Sequence, residues 1–274
     1  MVFHFNADIM NKKIAIIGGG NLGKAIAEGL VKSGFTLPSH IMVTRRNIES
    51  IRYLEEKGIL VGNDNAEAVS YADVVILAIK PFQVIDVLTK LKPHLVPGKH
   101  MLISVVTGVT IDDLQAVADP AMSIVRAMPN TAIAIQESMT CICTRNVDEG
   151  QEAYIHSLFT QLGRVVTIDE KLMDAATVLG ACGIAYALRF IRANIQGGIE
   201  IGFDATTATL IAAQTVKGAA ELLIQTGNHP EQEIDKVTTP KGCTIAGLNE
   251  MEHQGFSSSL IKGIAASFHK IAKG

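Results

Sequence analysis

Three glycines near the start of the chain have the spacing of a phosphate-binding loop. Gly18, Gly20 and Gly23 fit the pattern G-x-G-x-x-G, between a short apolar run at 12–17 and a stretch of helical spacing at 22–32. In this pattern the first glycine allows a tight turn, the second lets a pyrophosphate approach the backbone, and the third lets the helix pack against the strand. The N–H groups at the start of the helix supply further donors to the anion. The loop therefore predicts dinucleotide binding, with an ordinary glycine turn as the alternative.

Two adjacent arginines follow the second predicted strand, at 41–44. Thr44 is followed by Arg45, Arg46 and Asn47, where a site specific for NAD usually has an acidic residue that accepts the ribose 2′-hydroxyl. An acidic side chain would repel a 2′-phosphate, whereas two guanidinium groups would pair with it. The pair favours NADP(H) as the cofactor. The alternatives are NAD(H), and a pair of solvated arginines on a surface loop.

These residues need a parallel sheet to position them, and the first part of the chain has the pattern of one. Apolar runs alternate with stretches of helical spacing, which favours a doubly wound sheet with helices on both faces. The predicted strands are 12–17, 41–44, 59–61, 73–79, 101–106, 122–126, 138–144 and 164–168. The predicted helices are 22–32, 48–57, 84–91, 111–117 and 148–162. We therefore predict a Rossmann-like α/β domain over residues 1–168.

The pattern changes after residue 168, and no further strand is predicted. Helices are expected near 170–180, 184–201, 204–226, 244–253 and 257–273, with a turn at His229-Pro230. Asp204 and Gly227 are suited to begin and end the long third helix. This helix is rich in alanine, and small residues let helices approach closely. We predict an all-α domain over residues 169–274, a bundle that is shared between subunits.

The composition excludes several classes of function. The chain has 274 residues, 48% hydrophobic and 19% charged, with a net charge of −3, so it lacks the basic surface of a nucleic-acid-binding protein. The most apolar stretch, 72–79, is too short to span a membrane, and residues 1–11 do not read as a secretory signal. Four cysteines suggest no disulfide framework, so a cytoplasmic location is expected.

No metal site is predicted. Cys141 and Cys143 form C-x-C in a predicted strand, so their side chains point to the same face. Metal ligation would need further ligands nearby, and no C-x-x-C or H-x-x-x-H pattern accompanies the pair. The two cysteines are therefore interpreted as small core residues.

Several spaced segments resemble the pyrroline-5-carboxylate reductase family. The segments are GGGNLG (18–23), AIKP (78–81), RAMPNT (126–131), GACGIAY (180–186) and TTPKGCTIAGL (238–248). The resemblance covers about residues 12–272 and is much more specific than the glycine loop alone. It implies reduction of the imine of 1-pyrroline-5-carboxylate to L-proline by NAD(P)H, the last step of proline synthesis. It also implies a C-terminal helical domain that dimerises through interlocking helices, giving a homodimer or a larger homo-oligomer.

The same resemblance assigns site residues. The implied cofactor-binding residues are Gly18, Gly19, Gly20, Asn21, Leu22, Gly23, Thr44, Arg45, Arg46, Asn65, Ala78, Ile79, Lys80 and Pro81. The implied substrate-binding residues are Met128, Asn130, Thr239, Lys241, Gly242 and Cys243. Thr244 is the implied catalytic residue, donating a hydrogen bond to the imine or amine nitrogen.

The residue types near Thr244 suit an imino-acid substrate. A helix that starts near residue 244 offers the N–H groups of 242–244 to a substrate carboxylate. Lys241 would strengthen that anion site, or would obstruct it if the loop needs a glycine. A simple helix N-cap is the alternative role of Thr244.

Three positions depart from the usual family pattern. Ile184 and Ala132 stand where proline is usual, and Lys241 stands where glycine is usual. All three lie in segments expected to surround the substrate. They leave two alternatives open: a reductase of another cyclic imine or of a small keto acid, and a non-catalytic NADP-binding protein.

Overall fold

The computed structural model describes residues 11–271, so the segment 1–11 considered above lies outside them except for its last residue. By their contacts the described residues form two compact units. The first, which we call the sheet unit, contains residues 11–182 and Ile271. The second, the helical unit, contains residues 183–270. Residues 169–182 thus belong to the sheet unit by their contacts. The domain boundary predicted after residue 168 stays a prediction.

The sheet unit is built on eight strands in the order β3-β2-β1-β4-β5-β6-β7-β8. The strands are β1 (Ile14–Ile17), β2 (Ile41–Thr44), β3 (Leu60–Gly62), β4 (Val74–Leu77), β5 (Met101–Ser104), β6 (Ser123–Met128), β7 (Ser138–Arg145) and β8 (Gly163–Thr167). All neighbouring strands are parallel except β6 and β7, which are antiparallel. The predicted doubly wound sheet is confirmed. The direction of β7 was not predicted.

Helices connect these strands on both faces of the sheet. They are α1 (Asn21–Lys32), α2 (Asn65–Tyr71), α3 (Val84–Leu91), α4 (Ile111–Val117), α5 (Glu149–Thr160) and the short α6 (Met173–Ala176). The prediction of one helix over 48–57 is wrong: 3-10 turns cover Ile48–Ser50 and Arg52–Lys57, because Ile51 between them leaves the helical conformation. The helix predicted near 170–180 is present but changes type along its length, from a 3-10 turn at Glu170–Leu172 through α6 to a π-helical segment at Thr177–Cys182.

The core of the sheet unit lies on both faces of the sheet. Ile14 and Ile16 of β1 belong to the apolar cluster on one face, and Ala15 and Ile17 belong to the cluster on the other. Every residue of β1 is buried. Burial on both faces is what near-continuous apolar strands require, since successive side chains point to opposite sides.

The buried guanidinium of Arg126, on β6, is neutralised from outside the sheet. Its Nη1 donates to Glu170 Oε1 at 2.9 Å, and the same carboxylate oxygen accepts the backbone N–H of Ile111 at 2.6 Å. Arg145 of β7 lies 3.8 Å from the other carboxylate oxygen. Glu170 thus joins the segment after β8 to the start of α4 and to two strands.

The helical unit contains α7 (Gly183–Glu200), α8 (Ala205–Thr226), α9 (Pro230–Val237), α10 (Cys243–His253) and α11 (Phe256–Ile271, whose last residue groups with the sheet unit). The predicted ends of α8 are confirmed: Asp204 accepts the N–H groups of Thr206 and Thr207, and Gly227 is left-handed at φ 67°. A turn was predicted at His229-Pro230, but the helix α9 that begins there was not. His229 caps α9, and Pro230 is its first residue.

Apolar side chains of the helical unit are mostly exposed. Its buried core consists of Ile195, Ala208 and Ala212 among the described residues. The exposed large side chains are Leu188, Ile199, Ile201, Phe203, Leu210, Ile211, Leu222, Ile224, Val237, Met251, Phe256, Leu260, Ile261 and Phe268. By length and composition alone, the helical stretch Glu170–Glu200 would suffice to cross a membrane. Only the shorter apolar stretch at 72–79 was considered from the sequence.

Candidate functional site

The glycine loop after β1 has no room for side chains at two of its three positions. Gly18 has φ +115°, and a Cβ there would lie 2.4 Å from the carbonyl oxygen of Ala78. A Cβ on Gly23 would lie 2.1 Å from the carbonyl oxygen of Gly18. Both glycines are therefore required by close backbone approach, as predicted from their spacing.

Gly20 differs from the other two because the space beside it is open. A Cβ on Gly20 would have no heavy atom within 4 Å. Gly20 precedes the first residue of α1, and no side chain caps this end of the helix. The first N–H groups of α1 are thus left for a ligand, in a turn that contains no acidic residue. An open cradle at an uncapped helix start fits the pyrophosphate of a dinucleotide.

The predicted adenosine-side residues meet at the carboxyl end of β2. The carbonyl oxygen of Thr44 accepts the N–H groups of Gly18 at 3.1 Å and Gly19 at 2.8 Å. The Thr44 hydroxyl donates to Asn65 Oδ1 at 2.6 Å. Arg45 Nη1 donates to the carbonyl oxygen of Gly19 at 2.8 Å. The structure therefore brings these three segments together, although they are far apart in sequence.

The predicted nicotinamide-side residues follow β4 and β6 at the same edge of the sheet. The N–H of Ala78 donates to Ile17 O at 2.9 Å, which places 78–81 beside the glycine loop. Ile79 is half-buried, and Lys80 and Pro81 are exposed. Met128 is buried at the end of β6, and its sulfur accepts from the Thr107 hydroxyl at 3.7 Å.

Thr107 was missed by the sequence analysis. It follows β5, which lies between β4 and β6, so it belongs to the same carboxyl edge as Ala78 and Met128. The rule that ligands bind at the carboxyl ends of parallel strands would have identified it. A thioether is a weak acceptor, so the Thr107 hydroxyl is available for a stronger partner.

Asn130 holds the backbone around it. Its Oδ1 accepts the N–H of Ala132 at 3.0 Å, and its Nδ2 donates to the carbonyl oxygen of Gly180 at 3.3 Å. Its own N–H donates to the Ser138 hydroxyl at 3.0 Å. Asn130 is buried, and these bonds join the loop after β6 to the π-helical segment. Its predicted contact with substrate stays a prediction.

The predicted substrate loop of the helical unit makes a tight turn before α10. The N–H of Gly242 donates to Thr239 O at 2.9 Å, and a Cβ on Gly242 would lie 2.5 Å from the Thr239 hydroxyl oxygen. Lys241 has φ +61°, in the left-handed region that favours glycine. Lysine is therefore accommodated here at some conformational cost, and its side chain is exposed.

Thr244 is not the N-cap of α10. Gly242 is the N-cap, Cys243 is the first helical residue, and no side chain caps this end of the helix. The alternative role assigned to Thr244 is therefore wrong. The half-buried Thr244 hydroxyl and the first N–H groups of α10 remain available to an anionic, hydrogen-bonding ligand.

The cysteines in the sheet do not form a reactive site. Cys141 and Cys143 are buried in one core cluster. Burial raises the pKa of both thiols, that of Cys143 to about 11 with a contribution from Glu170. Their interpretation as core residues is confirmed. Residues 11–271 contain no group of three or more His, Cys, Asp or Glu side chains placed to hold a metal ion.

The parallel sheet, the glycine loop and the open carboxyl edge define a dinucleotide-binding protein of the oxidoreductase class, with a separate helical unit. Comparisons with known proteins agree. Residues 13–108 match the family model described as NADP oxidoreductase, coenzyme F420-dependent, and residues 170–273 match pyrroline-5-carboxylate reductase dimerisation.

Two curated relatives come from Dictyostelium discoideum. Pyrroline-5-carboxylate reductase 2 is 45% identical, over 96% of this chain and 93% of that protein. Pyrroline-5-carboxylate reductase 1 is 46% identical over 94% of this chain, which spans only 49% of that longer protein. The chain belongs to the pyrroline-5-carboxylate reductase family.

Solved structures extend the similarity to both units. A pyrroline-5-carboxylate reductase from Coxiella burnetii is 31% identical with a TM-score of 0.88, covering 96% of this chain and 98% of its own. The Plasmodium falciparum enzyme with NADP bound is 26% identical with a TM-score of 0.85, covering 96% of this chain and 97% of its own.

Proposed function

We propose that the protein reduces the C=N bond of 1-pyrroline-5-carboxylate with NADPH and forms L-proline. The observation that carries the proposal is similarity across both units at once, since the 45% identical relative is matched over 96% of this chain. The match therefore includes the cofactor loop in the sheet unit and the substrate loop in the helical unit. The NADP bound to the Plasmodium falciparum enzyme supports the cofactor.

The residues after β1 and β2 have the chemistry that NADPH requires. The bound cofactor would supply a hydride to the imine carbon. The N–H groups at the start of α1 would hold its pyrophosphate, and the guanidinium groups after β2 favour the 2′-phosphate over a free hydroxyl. Ala78 and its neighbours, with Met128 and Thr107, would bound the nicotinamide half. The sheet unit thus orients the donor, which is the main contribution of a protein to hydride transfer.

The helical unit would bind and polarise the substrate. The first N–H groups of α10, from Cys243 onward, would donate hydrogen bonds to the substrate carboxylate, with the Lys241 cation beside them. The Thr244 hydroxyl would donate to the imine nitrogen, which makes the carbon more electrophilic. With the hydride added to carbon, the nitrogen would take up a proton from the Thr244 hydroxyl, which would recover one from solvent, so that the imine would become a secondary amine. Thr239 and Gly242 would fix the shape of the loop.

A substrate panel tests this proposal. Oxidation of NADPH is followed by absorbance with 1-pyrroline-5-carboxylate, other cyclic imines and small keto acids, and is repeated with NADH. We expect turnover with the first substrate and a higher affinity for NADPH. Turnover confined to another substrate would establish the alternative reductase. Tight NADPH binding without turnover would establish a non-catalytic protein.

We also propose that the protein is a cytoplasmic homodimer or larger homo-oligomer. The exposed apolar helices and the match to a dimerisation family support association. A chain with four cysteines in 274 residues suggests no disulfide framework, which supports a reducing compartment. Light scattering tests the oligomeric state, and imaging of a tagged chain tests the cytoplasmic location.

A further inference from the structure

The two arginines after β2 lie in different environments. Arg45 is half-buried, and its Nη1 donates to the carbonyl oxygen of Gly19 at 2.8 Å, while its backbone N–H donates to Gly62 O at 3.0 Å. Arg46 is exposed, and among residues 11–271 its side chain has no hydrogen-bond or ion-pair partner. One guanidinium is thus already engaged by the protein, and the other is free for a ligand.

The Gly19 carbonyl that Arg45 contacts determines the direction of the Gly20 N–H in the glycine loop. The carbonyl oxygen of Gly19 and the N–H of Gly20 belong to the same peptide unit, which is trans and planar, so they point in opposite directions. With the oxygen held toward Arg45, the Gly20 N–H is directed to the other side. Among residues 11–271 the Gly20 N–H donates to no protein acceptor, so it is left for a ligand.

Besides the hydrogen bond from Arg45, few contacts would fix the orientation of the Gly19–Gly20 peptide. The N–H of Gly19 donates to Thr44 O at 2.8 Å, which holds the residue at its nitrogen. A Cβ on Gly19 would lie 2.8 Å from Ile51, so this side chain packs close to its Cα. Rotation of the following peptide is opposed by the hydrogen bond from Arg45. Without it, the Gly19 carbonyl could turn toward the pyrophosphate and repel it.

We propose that Arg45 is a positioning residue that orients the Gly19–Gly20 peptide for the pyrophosphate, whereas Arg46 alone distinguishes NADPH from NADH. The pyrophosphate is common to the two cofactors, so loss of Arg45 weakens both equally. The 2′-phosphate is present only in NADPH, so loss of Arg46 weakens that cofactor selectively. This inference rests on the proposed use of NAD(P)H and divides between two residues a role first assigned to the pair.

The test compares Arg45→Met and Arg46→Met by titration of the purified protein with NADPH and with NADH, followed by fluorescence. For Arg45→Met we expect both dissociation constants to rise by a similar factor, about tenfold. For Arg46→Met we expect NADPH to weaken by roughly 10- to 100-fold and NADH to change by less than about twofold. Arg52→Met is the matched control, because Arg52 is exposed and pairs with Glu49 at 2.7 Å.

A second variant separates positioning from folding. In Arg45→Lys, one ammonium donor can still reach the Gly19 carbonyl, so we expect both affinities to recover most of the loss. A selective loss of NADPH in Arg45→Met, or an equal loss of both cofactors in Arg46→Met, would overturn the inference. Equal losses in Arg45→Met that Arg45→Lys does not restore would also overturn it. Binding of both cofactors by the unaltered protein without turnover of 1-pyrroline-5-carboxylate would contradict the proposed function alone.

Discussion

The sheet unit and the helical unit bury apolar side chains to very different extents. In the sheet unit, strands such as β1 and β4 are buried at every residue, and two apolar clusters cover the two faces of the sheet. In the helical unit, the described core is confined to Ile195, Ala208 and Ala212. The sheet unit therefore contains the apolar contacts that stabilise it, whereas the helical unit needs another surface to cover its side chains.

The two units with these different cores are also the ones proposed to bind the cofactor and the substrate. The residues proposed to bind the cofactor lie in the unit that has its own core, and the proposed substrate loop lies in the unit that lacks one. We infer that cofactor binding is insensitive to association, whereas turnover depends on it.

The largest effect is expected from a charge on the exposed face of α8. Leu210 is 70% exposed, and Leu210→Asp would place a carboxylate in the interface expected between copies. We expect the oligomer to dissociate and turnover to fall by roughly 100-fold or more, with little change in NADPH affinity. Light scattering, kinetics and NADPH titration check this. Leu37→Asp in the sheet unit is the control, since Leu37 is 58% exposed. An intact, active Leu210→Asp oligomer would contradict the comparison.

A smaller but still severe effect is expected in the glycine loop. Gly23→Ala would bring a methyl group 2.1 Å from the Gly18 carbonyl oxygen, so we expect a loss of about 1–3 kcal/mol in the free energy of unfolding and much weaker NADPH binding. Gly20→Ala meets open space, so its stability should stay unchanged while NADPH weakens. Denaturant unfolding measures the stability of each variant, and titration with NADPH measures its affinity for the cofactor. Equal stability of both variants would contradict the close approach seen at Gly23.

An effect on turnover alone is expected at Thr244. Thr244→Ala removes the hydroxyl proposed to donate to the imine nitrogen, so we expect kcat to fall by roughly 10- to 100-fold while the Kd for NADPH stays within about twofold. Thr244→Ser retains the hydroxyl and should retain most of the turnover. Unchanged turnover in Thr244→Ala would remove this residue from the mechanism.

The smallest effect concerns the pH dependence of the sheet unit. Burial, as the main cause, lowers the pKa of His100, whose Nδ1 accepts the N–H of Val96 at 2.8 Å. The unfolded chain then binds a proton more readily than the folded one, so stability is complete above the unfolded pKa of about 6.5 and decreases as pH falls below it. Thermal unfolding at several pH values measures this. His100→Asn should flatten the profile.

The sequence was sufficient to predict the features that depend on strong local patterns. Each strand of the sheet was located, because buried parallel strands are short apolar runs between turns. The tight turn of the glycine loop followed from residue spacing. The caps of α8 at Asp204 and Gly227 were identified because each residue has a distinct conformational preference.

Features that depend on distant contacts or on weak local signals were missed. The seven residues of α2, which begins at Asn65 after an Asp64 cap, contain too few apolar positions for a clear helical period. The hydrogen bond from Arg45 to Gly19 joins residues 26 apart in sequence, so no local pattern indicates it. The left-handed conformation of Lys241 was left open as one alternative, because the family usually has glycine there while lysine itself has no preference for it.

The Arg126–Glu170 pair has a practical consequence for dividing the gene. A fragment that stopped at residue 168 would lack Glu170 and would leave the guanidinium of Arg126, only 4% exposed, without its counter-ion. Loss of one partner from a buried pair costs about 3–5 kcal/mol, a large share of the stability of an ordinary domain. Expression of an isolated nucleotide-binding fragment should therefore continue through Cys182.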